Sequence, residues 1–291
     1  MLTLALLTTL AAPPAGGSMF RHPDISDKHI VFVYGNDMWR APREGGTALP
    51  LASPSGVERS PRFSPDGTEV AFVGNYDGGR DLYVIPIHGG IPHRVTHHPA
   101  GESLSDWTTT GDLLFAARGM GDMPMTEEAW RVDSEGGLPE QLPVPWGSHA
   151  AINRTGTQLA YTPTQRDGST WKRYRGGMAS DIWRVDLGTG ESKRITDWEG
   201  TDTIPMWHGE DIFYLSDAGD EHRLNLWKYD TSKDAHRQLT KFKDFDVKWP
   251  AIGPDDDGPA TIVFQHGPNI KVYHDRSGIA RTVDIDVPGA T

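Results

Sequence analysis

Short apolar runs of strand length alternate with turn-forming residues along this chain. One set reads HIVFVY, EVAFVG, DLLFAA, QLAYTP, DIFYLS and TIVFQH, with an aromatic at the same place each time: Phe32, Phe72, Phe115, Tyr161, Tyr214 and Phe264. A second set follows: NDMWRAP, RDLYVIP, EEAWRVD, SDIWRVD, LNLWKYD and PNIKVYH. Its polar starts are Asp37, Asp81, Glu128, Asp181, Asn225 and Asn269, spaced by 44, 47, 53, 44 and 44 residues. Two positions on stand Trp39, Tyr83, Trp130, Trp183 and Trp227, with Lys271 the exception. Turn formers such as SPDG at 64–67, TTTGD, NRTGT, WHGED and GPDDDG precede the first set, and short strands such as PHRVT, KRITD and HRQLT follow the second. Asp and Gly at such places suit tight turns that need a residue at positive φ.

Each unit is therefore strand, turn, strand, loop, strand, turn, strand, about 45 residues long, and it occurs six times. One four-stranded sheet cannot bury both faces alone. Radial packing of such units buries each face against a neighbour. The expected fold is all-β: a single six-bladed β-propeller with four antiparallel strands per blade, closed without strand exchange. FRHPDIS supplies an inner strand to the first blade and ARTVDID an outer strand to the last, so the ring is expected to close by side-chain packing alone. The expected organisation is a leader at 1–18, a propeller at 19–287 and the start of a linker at 288–291. The blades fall at about 20–52, 58–97, 102–143, 149–197, 202–240 and 246–287. The recurring aromatics are assigned to packing between blades.

Composition narrows the chemistry. With 40 Asp and Glu against 28 Lys and Arg, the net charge of −12 argues against nucleic acid, whose phosphates need a positive field. There is no cysteine, hence no disulfide, thiolate metal site or cysteine nucleophile. The opening MLTLALLTTLAA is too short to span a bilayer, and with PPAGGS it resembles a secretory signal without a basic start. It implies a periplasmic or secreted protein with no membrane segment; a start at Met19 would make it cytoplasmic.

No G-x-S-x-G, H-E-x-x-H or P-loop pattern occurs. GPDDDGP at 253–259 lacks the alternation of a calcium loop and reads as a solvated turn. His97 and His98 lack a third ligand, so neither metal nor cofactor is expected. The one dense basic stretch is WKRYRGG at 171–177, in a loop at 164–180 between the second and third strands of blade four. Such loops share a face with the connections between blades. There Arg166, Lys172, Arg173 and Arg175, with Trp171 and Tyr174 between them, form the candidate binding site. Three readings remain open: docking against another domain or subunit, guidance of peptide carboxylates to the channel, or a solvated loop.

HIVFVYGNDMWRAPREGG, FSPDGTEVAFVG and above all WKRYRGGMASDIWRVDLGTGESKRIT resemble the N-terminal six-bladed propeller of the tricorn protease family, over about residues 20–287. The resemblance implies a large serine peptidase that trims oligopeptides. It carries a second propeller and a PDZ domain flanked by two parts of a catalytic domain. The implied partners are the remaining domains of the same polypeptide or neighbouring subunits, in a homo-oligomer, a hexamer, when the chain is full length. The catalytic residues lie in the later parts, so no catalytic residue is carried over and this chain alone is expected to be inactive. Two other readings stand beside it: a free-standing periplasmic propeller that binds partners, and a propeller-based polysaccharide lyase.

Overall fold

The computed structural model describes residues 20–52, 56–122, 125–164 and 174–289. They form six four-stranded antiparallel sheets, each made of strands that follow in chain order; in the first blade the short strand Gly46–Thr47 is passed over and pairs elsewhere. The inner strands are Arg21–Ile25, Glu58–Phe63, Glu102–Trp107, His149–Ile152, Asp202–His208 and Val247–Ile252. No helix occurs among the described residues.

The two aromatic registers meet face to face. Phe32 pairs with Trp39, Phe72 with Tyr83, Phe115 with Trp130, Tyr161 with Trp183, Tyr214 with Trp227, and Phe264 with Lys271. Directly opposed residues on antiparallel strands share one face, so each pair fills the same gap between blades. The second-strand phenylalanines are completely buried. Trp39, Trp183 and Trp227 sit one strand further out, where the blades diverge, and are only partly buried. A larger ring fits the wider part of the wedge.

A threonine lock recurs beside them. The amides of Leu82, Ile182 and Leu226 each donate at 2.9 Å to the hydroxyl of the threonine fourteen residues on: Thr96, Thr196 and Thr240. The hydroxyl satisfies a buried amide at the start of the third strand; at Leu82 the Glu102 carboxylate also accepts, at 3.2 Å.

Five of the six inner strands carry a register shift. In four of them a residue at positive φ stands directly before a proline: His22 (48°), Ser60 (50°), Ile204 (53°) and Trp249 (46°). Proline has no amide to donate, so it suits a channel-side edge strand, and the bulge turns the preceding residue out of the ladder.

Blade one keeps its own inner strand and blade six its own outer strand, so no strand is exchanged. Closure by side-chain packing alone is corrected. The chain runs past the outer strand of blade six (Ile279–Thr282), and Ile285–Asp286 pairs in parallel with Gly46–Thr47 of blade one. Gly46 N donates to Asp284 O at 2.8 Å and Ala48 N to Asp286 O at 2.7 Å. Val283 and Val287 of this latch are buried in a core shared by blades one and six. Residues 284–287 therefore serve as a backbone clasp and not as part of an outer strand.

Candidate functional site

The inner strands surround a central channel, and their common register divides it into levels. At the first level stand Arg21, Arg59, Ser103, His149, Thr203 and Lys248. Each lies opposite the residue that follows the second-strand aromatic of its blade. This mouth opens on the face of the loops between second and third strands. Further in lies a waist contributed by all six blades, including Asp24, Arg62, Asp106, Ala150, Met206 and Ala251, with a volume of only about 20 Å³. That is room for roughly one water molecule.

Hydrogen bonds lace the waist from blade to blade. Phe63 N donates to Asp24 Oδ2 at 2.6 Å and Ile25 N to Oδ1 at 2.8 Å. Arg62 Nε donates to Ser105 O at 2.9 Å, Trp107 Nε1 to Arg62 O at 2.9 Å, and Ala150 N to Ser105 Oγ at 3.3 Å. These bonds satisfy backbone groups along the free edges of the inner strands. Burial pushes the Asp24 carboxyl up to about 7, against the opposing pull of Arg62 and of the Phe63 amide. Asp106 is also raised by burial, with Arg62 opposing.

Above the waist His22 stacks on Trp249, centroids 4.4 Å apart, and its Nδ1 lies 3.5 Å from Ser60 Oγ. A hydroxyl beside an imidazole invites comparison with a serine nucleophile. Burial, and then Arg62, Arg59 and Arg21, push His22 down to about 3. A base so weak gives little driving force for removing a hydroxyl proton.

At the opposite mouth the 253–259 turn of blade six reaches past blade five to blade four. Gly209 N donates to Asp255 and Arg154 Nη1 to Asp257, both at 2.8 Å, while Arg154 O accepts from Thr109 of blade three at 3.0 Å. The turn expected to be merely solvated is tied across this end of the channel. His98, read above as a poor ligand, accepts the Ala100 amide at 3.0 Å through Nδ1.

Of the residues singled out by sequence, Arg166, Trp171, Lys172 and Arg173 lie outside the described residues. Tyr174 is half-buried and Arg175 exposed. Arg175 forms an ion pair with Glu199 and lies 4.8 Å from the centre of the Trp198 ring, both on the connection between blades four and five. The loop and the blade connection thus share a face, and one of the loop's cations is engaged within the chain. Changing Arg175 to alanine should cost at most about 1 kcal/mol, the worth of an exposed pair with a stacked ring. A thermal-unfolding shift well beyond that would make Arg175 a structural anchor. Arg21, Arg59 and Lys248 were not singled out, because they are scattered over three repeats, one at the start of each inner strand. The signal available was their shared offset before the X-Pro step in HPD, SPR and WPA.

A family model described as the tricorn protease N-terminal beta propeller domain matches residues 17–278. The chain belongs to this family. It is similar to tricorn protease homolog 1 of Streptomyces coelicolor, 33% identical over 210 residues, covering 70% of this chain and 19% of that protein. It is also similar to the tricorn protease homolog of Saccharolobus solfataricus, 26% identical over 274 residues, covering 92% of this chain and 25% of that protein. The tricorn protease crystal structure matches with a TM-score of 0.79 at 20% identity, covering 91% of this chain and 26% of that one. The tricorn propeller described here therefore spans a quarter or less of the length of the two curated relatives.

Proposed function

We propose that this tricorn-type propeller is the non-catalytic N-terminal scaffold of a serine peptidase that degrades oligopeptides, and that its channel filters those peptides. It would dock against the remaining domains of its polypeptide or neighbouring subunits, and the basic loop face at 164–180 is the surface suited to that contact. The observation that carries the reading is the channel. It has a mouth lined by hydrogen-bond donors and a waist of about 20 Å³, too narrow for a peptide backbone. The Ser60–His22 hydroxyl–imidazole pair in the channel has the wrong basicity for acyl transfer. The leader reading puts this activity outside the cytosol.

The test is incubation of the purified chain with a mixed peptide pool, followed by mass spectrometry. No cleavage is expected, together with retention of peptides by the chain. Turnover that survives further purification and is abolished by a serine-reactive inhibitor would overturn the scaffold reading. Failure to retain any peptide would remove the filter.

A further inference from the structure

Where blade six meets blade one, a cleft of about 460 Å³ lies on the closing seam. Its size falls in the range of small-molecule sites. Blade one supplies Arg43, two residues before Gly45 of the clasp. Blade six supplies Thr261, His274 and Arg276, with Asp256 of the 253–259 turn at one side. None of these side chains lines the channel waist.

The acids that neighbour these cations in sequence are engaged with other partners. Asp275, beside Arg276, accepts Lys228 at 3.2 Å and Arg237 at 3.1 Å, both from blade five. Glu44, beside Arg43, pairs with Arg281. Asp27 reaches Arg43 only at 3.7 Å and is itself exposed. Asp256 is exposed too, and its Oδ1 accepts the Gly258 amide at 2.7 Å. Arg276 is exposed and forms no ion pair among the described residues. The imidazole registers the resulting field. Burial lowers the basicity of His274, and Arg281 and Arg43 lower it further, with Glu44 opposing.

The hydrogen bonds fix the donors. Arg43 Nη2 donates to Thr261 Oγ1 and Nη1 to Ser26 O, both at 3.3 Å, which holds the guanidinium in place. Thr261 Oγ1 lies 3.3 Å from His274 Nδ1. With its oxygen accepting from Arg43, the threonine gives its proton to Nδ1, and the neutral imidazole carries its own on Nε2. No acceptor for that proton occurs among the described residues. The two arginines belong to the two blades that flank the seam. A carboxylate offers both oxygens on one edge and satisfies one guanidinium. A tetrahedral phosphoryl group has an oxygen for each arginine and another for the imidazole.

We infer that this cleft binds a phosphoryl oxyanion, free or carried by a small molecule, with Arg43, Arg276 and His274 as its donors. The bound anion bridges blade one to blade six beside the clasp.

The experiment is isothermal titration calorimetry of the purified chain at neutral pH and constant ionic strength, with inorganic phosphate, glycerol phosphate and acetate. Phosphate and the ester should bind, and acetate should bind roughly tenfold or more weakly, the scale of one charge-assisted hydrogen bond. An ester tighter than the ion assigns the site to a phosphorylated molecule, and equal affinities assign it to the ion; either supports the site. Arg276→Gln should weaken phosphate roughly ten- to hundredfold. Asp256→Asn should tighten it about two- to fivefold, the worth of one exposed charge. Arg118→Gln removes an exposed arginine of blade three instead and should change nothing. Unaltered thermal unfolding without phosphate would confirm intact variants, and His274→Gln replaces Arg276→Gln should that one fail to fold. Phosphate should also slow hydrogen exchange at the Gly46 and Ala48 amides, about tenfold when its concentration is ten times Kd, because an opened seam cannot hold both arginines on one anion. Acetate as tight as phosphate, or equal weakening by Arg118→Gln and Arg276→Gln, would reduce the cleft to a general attraction for anions and overturn the site. Absence of binding by both phosphate and ester would overturn it outright. Binding with unchanged exchange at the clasp would overturn the bridge between blades.

Discussion

Gly45→Ala should open the ring at its seam, at a cost of about 3–5 kcal/mol. Gly45 sits at φ +101°, where an L side chain is strained by about 1–3 kcal/mol. A Cβ there would also lie well inside 3.0 Å of the Asp284 carbonyl oxygen. That oxygen accepts the Gly46 amide at 2.8 Å and anchors the clasp, whose next bond joins Ala48 N to Asp286 O at 2.7 Å. Backbone cannot yield as a flexible side chain can, so the clash should break both bonds, each worth about 1 kcal/mol. Gly46→Ala is the control. Its φ is +112°, but no atom lies within 4 Å of the added Cβ, so it carries only the conformational cost of about 1–3 kcal/mol. Urea unfolding of both variants gives the difference. Hydrogen exchange at the Gly46 and Ala48 amides locates it, since local opening speeds exchange there first. Equal destabilisation by the two substitutions would mean that the clasp contributes nothing beyond the packing of Val283 and Val287.

The clasp also marks where the sequence stops being legible. The blades could be read because each aromatic register reports a local property: strand period two, with Phe32 opposite Trp39 and Phe264 opposite Lys271. Ile285 and Asp286 have the same period as an outer strand, and nothing local says that their partner is Gly46 and not Lys271. Periodicity identifies a strand and is silent about its partner. The channel ring was hidden for a related reason. Arg21, Arg59 and Lys248 are 38 and 189 residues apart in sequence, and only the closed circle makes them neighbours. The prolines after His22, Ser60, Ile204 and Trp249 were visible, but the positive φ before each is not a local preference and is imposed by the bulged inner strands. The basic knot was conspicuous because its charges are contiguous. Arg175, one of its two described members, is spent on Glu199 and Trp198.

Asp202→Asn should stabilise the propeller at alkaline pH and have no such effect in acid. Asp202 opens the inner strand of blade five and is 1% exposed. Burial raises its carboxyl to about 7 from an ordinary value of 3.8. Hydrogen bonds from Ser216 and Thr196 oppose the rise, and the charges of Asp181 and Asp217 add to it. Asp181 is itself raised by burial, with Arg194 opposing. Tyr214, packed against the same group, has its hydroxyl pushed further up by Asp202. The sign follows from proton uptake. The folded state holds a proton on Asp202 that the unfolded chain gives up near pH 3.8. The contribution of this group to stability is therefore complete below that pH and is lost as pH rises to about 7. A shift of this size corresponds to at most about 4 kcal/mol at pH 8. Asparagine keeps the shape and cannot ionise. The amide must still find acceptors, so a gain of about 1–4 kcal/mol is expected at pH 8, shrinking to nothing near pH 4. His22, held near 3, works the other way: its contribution is present above 6.5 and is lost as pH falls through about 3. The wild type's own pH profile therefore mixes opposing terms, and the difference between wild type and variant isolates one. Urea midpoints for both proteins from pH 4 to pH 8 supply that difference. Parallel profiles, with a constant gap at every pH, would show that Asp202 ionises in the folded ring as freely as it does in the unfolded chain.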